Sequence, residues 1–285
     1  MLSTPVLSGL FVFIWATGFI IAGVVASHAE PLTFLAVRHA GSIAFFTLLA
    51  IAAGAAWPRS ARVWRDALIG GVLLNGIYLA GVFWAVSRGL GAGLTALVTG
   101  LQPLLTAALA IPLLHERLVG RQWLGIAVGV AGIALIVSPK LGGVDAVPLP
   151  ALGIALLATL SLTLGTIWQK HTRPEMDLRA NAAIQFMGAM LLTLPLALLT
   201  ERGHFDRTAA LWGALAWAVI VLSGGSISIL LTLLKRGAAS KVAPLLYLAP
   251  PVAAVMALVL FGEPITLVQA AGMVLAVVGA FAARR

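Results

Sequence analysis

The sequence contains no cysteine, which excludes disulfides, thiolate nucleophiles and cysteine-ligated metals together. Charge is scarce as well: Asp, Glu, Lys and Arg make up 9% of 285 residues, against roughly 25% in soluble domains. Acids are the rarer sign, 9 against 18 Lys and Arg. All nine (Glu30, Asp66, Glu116, Asp145, Glu175, Asp177, Glu201, Asp206 and Glu263) stand at the ends of apolar stretches or between them. The five histidines are scattered at positions 28, 39, 115, 171 and 204, and there is neither a His-Glu-x-x-His helix nor a pair of mid-span aspartates. These gaps leave no metal site, no cofactor site and no catalytic constellation, so an enzyme is not expected.

What the chain has instead is apolar bulk. The residues AVILMFWYC supply 61% of it, more than a soluble fold of this size can hide, since even a 300-residue domain buries only about 75% of its extended surface. A disordered chain would be poor in such residues. The composition places the chain in a bilayer. Continuous runs near the ~20-residue crossing length fall at about 5–27, 32–54, 66–87, 91–113, 120–138, 149–170, 179–200, 211–235, 239–261 and 266–283. They are unbroken rather than alternating, hence helices and not barrel strands. The breaks at 55–65, 139–148 and 201–210 are connectors with no room for a soluble domain. No Lys or Arg precedes Arg38, so the first span lacks the basic flank of a signal peptide, although Ala26-Ser27-His28-Ala29 resembles a cleavage site.

Ten spans bring both termini to one side. On that side lie Arg59, Arg62, Arg65, Arg117, Arg121, Lys170, Arg173, Arg179, Lys235, Arg236, Lys241, Arg284 and Arg285, which are 13 of the 18 bases. The opposite loops carry Arg88, Lys140, Arg202 and Arg207, and Arg38 lies within the second span. The positive-inside rule therefore predicts a multi-pass inner-membrane protein with both termini cytoplasmic. The net charge of +9 reads as a topology signal whose partner is anionic lipid rather than nucleic acid.

The sequence also repeats itself at an ungapped offset of 147. Residues 92–132 align with 239–279, with identities that include Pro103/Pro250, Glu116/Glu263, Gln122/Gln269, Gly125/Gly272 and Gly132/Gly279. This predicts two halves, 1–138 and 149–285, joined by a linker at 139–148. Five spans per half make the copies inverted, the plan of many secondary transporters with a mid-membrane site between the repeats.

The segment AGLTALVTGLQPLLTAALAIPLLHERLVGRQWLGIAVGVAGIALIV (92–137) carries small residues, a mid-helix Pro103, Glu116, Gln122-x-x-Gly125 and Gly132. It resembles the signature of EamA-type members of the drug/metabolite transporter superfamily. Residues 239–284 repeat it with Pro250, Gly262-Glu263, Gln269, Gly272 and Gly279, and Trp15 and the Pro31…Arg38 spacing also resemble that family. His115 departs from the pattern where the second copy has Gly262. The resemblance implies an all-α membrane bundle of ten helices, a central cavity between the halves, and export of small metabolites such as amino acids.

Intramembrane polar groups avoid lipid and face the bundle or a cavity. The fourth span puts Thr95, Thr99, Gln102 and Thr106 on one face, and the sixth does so with Thr159, Thr163 and Thr166. Asn75, Tyr78, Asn181, Gln185, Ser223 and Ser226 are further cavity candidates, with Trp15, Phe19, Trp168 and Tyr247 as its aromatic wall. For the hydroxyls the alternative is bonding to their own preceding carbonyls. Arg38 and His39 are the ionisable residues well inside a span; Arg38 either snorkels to the headgroups or meets a substrate carboxylate or phosphate. Pro103 and Pro250 should kink the fourth and ninth spans and could gate them. Gly125, Gly129, Gly132, Gly272 and Gly279 form small-residue faces that join helices within a monomer or across a homodimer. Glu116 and Glu263 are expected to cap the helices they precede.

A pump for lipophilic cations needs a buried carboxylate, and the spans have none. A neutral, zwitterionic or anionic small molecule is the better cargo, exported by alternating access. A flippase for a lipid-linked substrate and an intramembrane enzyme are the alternatives.

Overall fold

Within lipid each span must satisfy its own main-chain hydrogen bonds, and the chain is helical accordingly. The computed structural model describes residues 3–114, 119–138, 148–172, 176–235 and 248–282, so His115, Glu116, Lys241 and Tyr247 lie outside the described residues. The helices are α1 (Thr4–Ala26), α2 (Pro31–Ala52), α3 (Ala61–Leu90), α4 (Ala92–Thr99, resuming as Gln102–Leu114), α5 (Gly120–Val137), α6 (Leu149–Thr172), α7 (Leu178–Thr200), α8 (Ala209–Ala216, continuing to Lys235), α9 (Ala249–Phe261) and α10 (Leu267–Ala282). Among the described residues, six are long and apolar enough to cross a bilayer, and four are shorter apolar helices.

Two local features are not expected from the sequence. The fourth span is broken rather than kinked: Pro103 cannot donate a main-chain N–H, and α4 stops at Thr99 and restarts at Gln102. In α3 and α8, π-helical turns occupy Val72–Ile77 and Trp217–Gly225, segments that overlap when shifted by 147. Pro250 stands in the first turn of α9, where a missing N–H costs nothing.

The repeat is visible in the packing. Gly18 of α1 faces Leu222 of α8, and its counterpart Gly165 of α6 faces Leu74 of α3. Helices α5 and α10 meet along glycine: Gly129 lies against Gly279, Gly132 against Ala276, and Ile136 against Gly272. One index rises as the other falls, the register of antiparallel helices. A Cβ on Gly272 would sit 2.6 Å from the Gly132 carbonyl oxygen, so only glycine permits this approach. The seam lies within one chain. Gln122 and Gln269 turn back onto the main-chain N–H groups of Val119 and Thr266, 3.0 and 2.9 Å away, closing the first turns of α5 and α10 in the same manner.

At one end of the bundle, three carboxylates tie the halves together. Glu201 accepts from the Leu32 and Thr33 amides at 2.9 and 2.7 Å, and from the Thr33 hydroxyl at 2.8 Å, at the N-terminus of α2. Glu30 reciprocates, accepting from the amides of Arg202 and His204 at 3.2 and 2.8 Å. Glu263 accepts from Ala92 and Gly93 at 2.7 and 2.9 Å. Its place in the sequence predicts a cap on its own following helix. Instead Gln269 serves that terminus, and Glu263 reaches the positive end of α4 in the other half. Gly91 (φ +79°) makes room for it, since a Cβ there would stand 3.0 Å from the carboxylate.

Candidate functional site

A cavity of about 400 Å³ opens between the two halves, within the size range of small-ligand sites. Its wall is built from α1, α2, α3, α4, α6, α7 and α8. Five lining pairs are related by the 147 offset: Trp15 and Leu162, Phe19 and Thr166, Arg38 and Gln185, Asn75 and Leu222, Leu79 and Ser226. The backbone frame is thus pseudo-symmetric, but each pair differs in chemistry. Half the cavity presents aromatic rings, a cation and an amide where the other half presents aliphatic, amide and hydroxyl groups.

Arg38 dominates the electrostatics. It is 4% exposed, so it does not snorkel to the headgroups; the rotation of α2 turns it inward. Its Nε and Nη1 have no hydrogen-bond partner, and no carboxylate among the described residues is within ion-pair distance of it. Tyr78 lines the same cavity within electrostatic reach of the guanidinium. Ser226 Oγ is also buried without a partner. Buried polar groups in folded proteins are nearly always paired. These two face a cavity instead.

The other polar candidates divide clearly. Gln102 lines the cavity and donates from Nε2 to the Thr166 hydroxyl at 3.2 Å, while Asn75, Gln185 and Ser223 also lie on the wall. Thr99 and Thr163 do not; their hydroxyls donate to Ala96 O and Thr159 O. His39 is fully buried behind the wall. Thr193 gives its one proton to Ala189 O, so its oxygen accepts from His39 Nδ1 at 3.0 Å, and the imidazole leans on Phe186 with ring centroids 5.8 Å apart. Trp168 is drawn away by a 2.9 Å bond from Nε1 to Asp66 O, and its neighbour Gln169 reaches the wall instead. Pro103 lies one residue beyond cavity-lining Gln102. Pro250 packs near Gly100, whose Cβ would be 3.1 Å from the proline ring.

Gln169, the aromatic Phe83 and Phe186, Gly18, and the aliphatic residues Leu74, Val82, Ala182 and Ile227 complete the lining. Only Gln169 leaves a trace in the sequence, as an amide inside an apolar run. The aliphatic members look like any other span residue.

The sequence profile of the EamA-like transporter family matches the chain twice, over residues 5–138 and 149–285. The chain is 29% identical over 284 residues to a probable amino-acid metabolite efflux pump of Salmonella typhimurium, covering 95% of this chain and 91% of that protein. The Escherichia coli protein of the same description is 29% identical over 288 residues, covering 97% and 93%. An uncharacterized transporter of Bacillus subtilis is 27% identical over 283 residues, covering 96% and 89%. Among solved structures, one crystal structure superposes with a TM-score of 0.69 over 98% of this chain and 96% of that one, at 21% identity, a likeness of fold.

Proposed function

The chain belongs to the EamA-like transporter family, and from that premise we propose that it exports a small amino-acid-like solute that carries a carboxylate. The observation that carries this reading is Arg38, a buried guanidinium on a cavity wall with unpaired Nε and Nη1. A buried charge without a partner is costly, and a substrate carboxylate would relieve it while Ser226 Oγ and the amides of Asn75 and Gln185 take up the polar remainder. Tyr78, Phe19 and Trp15 offer aromatic surface to a side chain. The names of two relatives as probable amino-acid metabolite efflux pumps agree with this cargo.

Transport would proceed by alternating access. Matched packing of α1 on α8 and of α6 on α3 supports two related arrangements of similar energy. The three glutamates hold one end shut. At the opposite end the position equivalent to Glu30 is Asp177, which accepts from Arg179 N of its own helix at 2.8 Å, and the equivalent of Glu201 is Gly54. Among the described residues the two ends are therefore clamped unequally; Glu116, equivalent to Glu263, lies outside them. The arginine-rich end would be cytoplasmic and the glutamate end outer, in the inner membrane, with both termini inside. The test is counterflow of a labelled amino-acid and organic-acid panel in proteoliposomes. Accumulation of a carboxylate-bearing member that unlabelled solute competes supports the reading, and failure to move any member overturns it.

A further inference from the structure

Away from the central cavity, a groove of about 580 Å³ runs along the outer surface of α3 where it meets α7. On α3 its wall is a single stripe, Ala61, Trp64, Arg65, Leu68, Ile69 and Val72, spaced at helical periodicity. On α7 it is Gly188 and Leu191. Gly188 lets α3 come close, since a Cβ there would run into the Leu68 main chain, and the missing side chain deepens the trough. From Ala61 to Val72 the groove is roughly 16 Å long at 1.5 Å per residue, about half the ~30 Å hydrocarbon thickness of a bilayer. It is one leaflet deep.

Its chemistry changes along that length. The inner part is aliphatic, and the end at the head of α3 is cationic. Arg59 and Arg65 lie on the wall, and Arg62 adjoins them one turn away. Among the described residues the acid facing this cluster is Asp66, which binds Arg65 at 2.9 Å and lies 3.9 Å from Arg62. Three cations to one anion leave the groove mouth positive. The ring of Trp64 stacks on Trp57 with centroids 6.1 Å apart, and its Nε1 donates to Pro58 O at 2.9 Å, fixing an indole pair of the kind favoured where headgroups meet acyl chains.

We infer that this groove is a binding site for one anionic phospholipid, its phosphate at Arg59 and Arg65 and an acyl chain along Leu68, Ile69, Val72 and Leu191. The site is not a bystander to the cavity. Val72, at the far end of its α3 wall, begins the π-helical turn that carries Asn75, and Gly71 packs directly on the Gln185 main chain. Occupancy of the groove braces the α3–α7 contact that holds two cavity residues in place. The inference requires only that the chain spans a membrane and is independent of which solute it carries.

Native mass spectrometry of the detergent-purified full chain, titrated with phosphatidylglycerol or phosphatidylcholine of identical acyl chains, reads the site directly. One phosphatidylglycerol is expected to be retained in preference to phosphatidylcholine. Arg59→Gln should lower that retention about fivefold, the effect of one cation near a charged lipid surface, and it leaves the Arg65–Asp66 pair intact. Val72→Trp, which fills the trough without altering charge, should lower retention of both lipids, and circular dichroism confirms that each variant is folded. Equal retention of the two lipids, or unchanged retention in both folded variants, overturns the proposal. So does crosslinking of Ala61→Cys to the same position of a second copy in native membranes, because the groove would then hold protein. Solute counterflow is measured separately, so a failure to transport the expected cargo leaves the lipid result standing.

Discussion

Arg38 and Gln185 occupy equivalent positions in the two halves and line one cavity. The fold repeats, and the chemistry at this pair does not. A guanidinium on one side and a neutral amide on the other give a pseudo-symmetric chamber a single polar direction, which suits a solute with one anionic end. Arg38→Gln, which makes the pair identical, should cut transport of a carboxylate-bearing solute roughly 10- to 150-fold, the worth of one charge-assisted hydrogen bond. The melting temperature should hold or rise, because an unpaired buried charge has been removed. Counterflow and thermal unfolding on the same preparation decide it; a fall in both would assign Arg38 to the scaffold.

The α5–α10 seam predicts a sharp contrast between glycines. Gly272→Val thrusts a branched side chain at the Gly132 carbonyl and the Ile136 main chain, and overpacking of this kind costs about 1–3 kcal/mol or more. Gly153, inside α6, has nothing within 4 Å of the point where a Cβ would stand, so Gly153→Ala should stabilise by about 0.4–1 kcal/mol. Thermal unfolding in detergent should move in opposite directions for the two.

Removing charge from the clamp should open one end. Glu201→Gln and Glu263→Gln keep an acceptor but give up charge-assisted bonds of about 1.5–3 kcal/mol each. The absence of native cysteine makes a single Val82→Cys on the cavity wall a clean reporter. An impermeant thiol reagent added from the clamped side should label it several-fold faster in the double variant. Unchanged labelling would show that the glutamates do not control that route.

Glu30 supplies a pH dependence. The amide of His204 holds its carboxyl below the ordinary 4.5; burial opposes this, and the Arg202 and Gly203 amides and the His204 ring add to the lowering. A lowered folded value means the stabilisation is complete above 4.5 and is lost as pH falls through the folded value. Amide-exchange protection of the 201–208 loop should therefore exceed that of Glu30→Gln near neutrality, and the difference should vanish in acid. A difference that persists in strong acid would contradict the carboxylate's role.

The spans, the 147 offset and the glycine faces are legible in the sequence because each depends on local composition or on comparing the chain with itself. Arg38 is not resolved there, since its depth in the span allows either snorkelling or burial, and the rotation of α2 against α7 decides between them. Trp168 and Gln169 meet the same limit: neighbours in sequence point about 100° apart on a helix, and the bond to Asp66 O settles which one faces the cavity. The π-helical turns leave no compositional mark. Glu263 can be recognised as a cap, but its partner lies 171 positions away, beyond any local pattern.

The groups that receive the three glutamates are almost all main-chain amides, and this makes the closure indifferent to spelling. Leu32, only half-buried, can drift to other residues that keep an N–H, with proline forbidden, whereas Ala92 is held small by burial in the core and Gly91 and Gly93 by the carboxylate beside them. A lock whose keyhole is written in backbone lets the surrounding loops diverge between distant descendants without losing the latch.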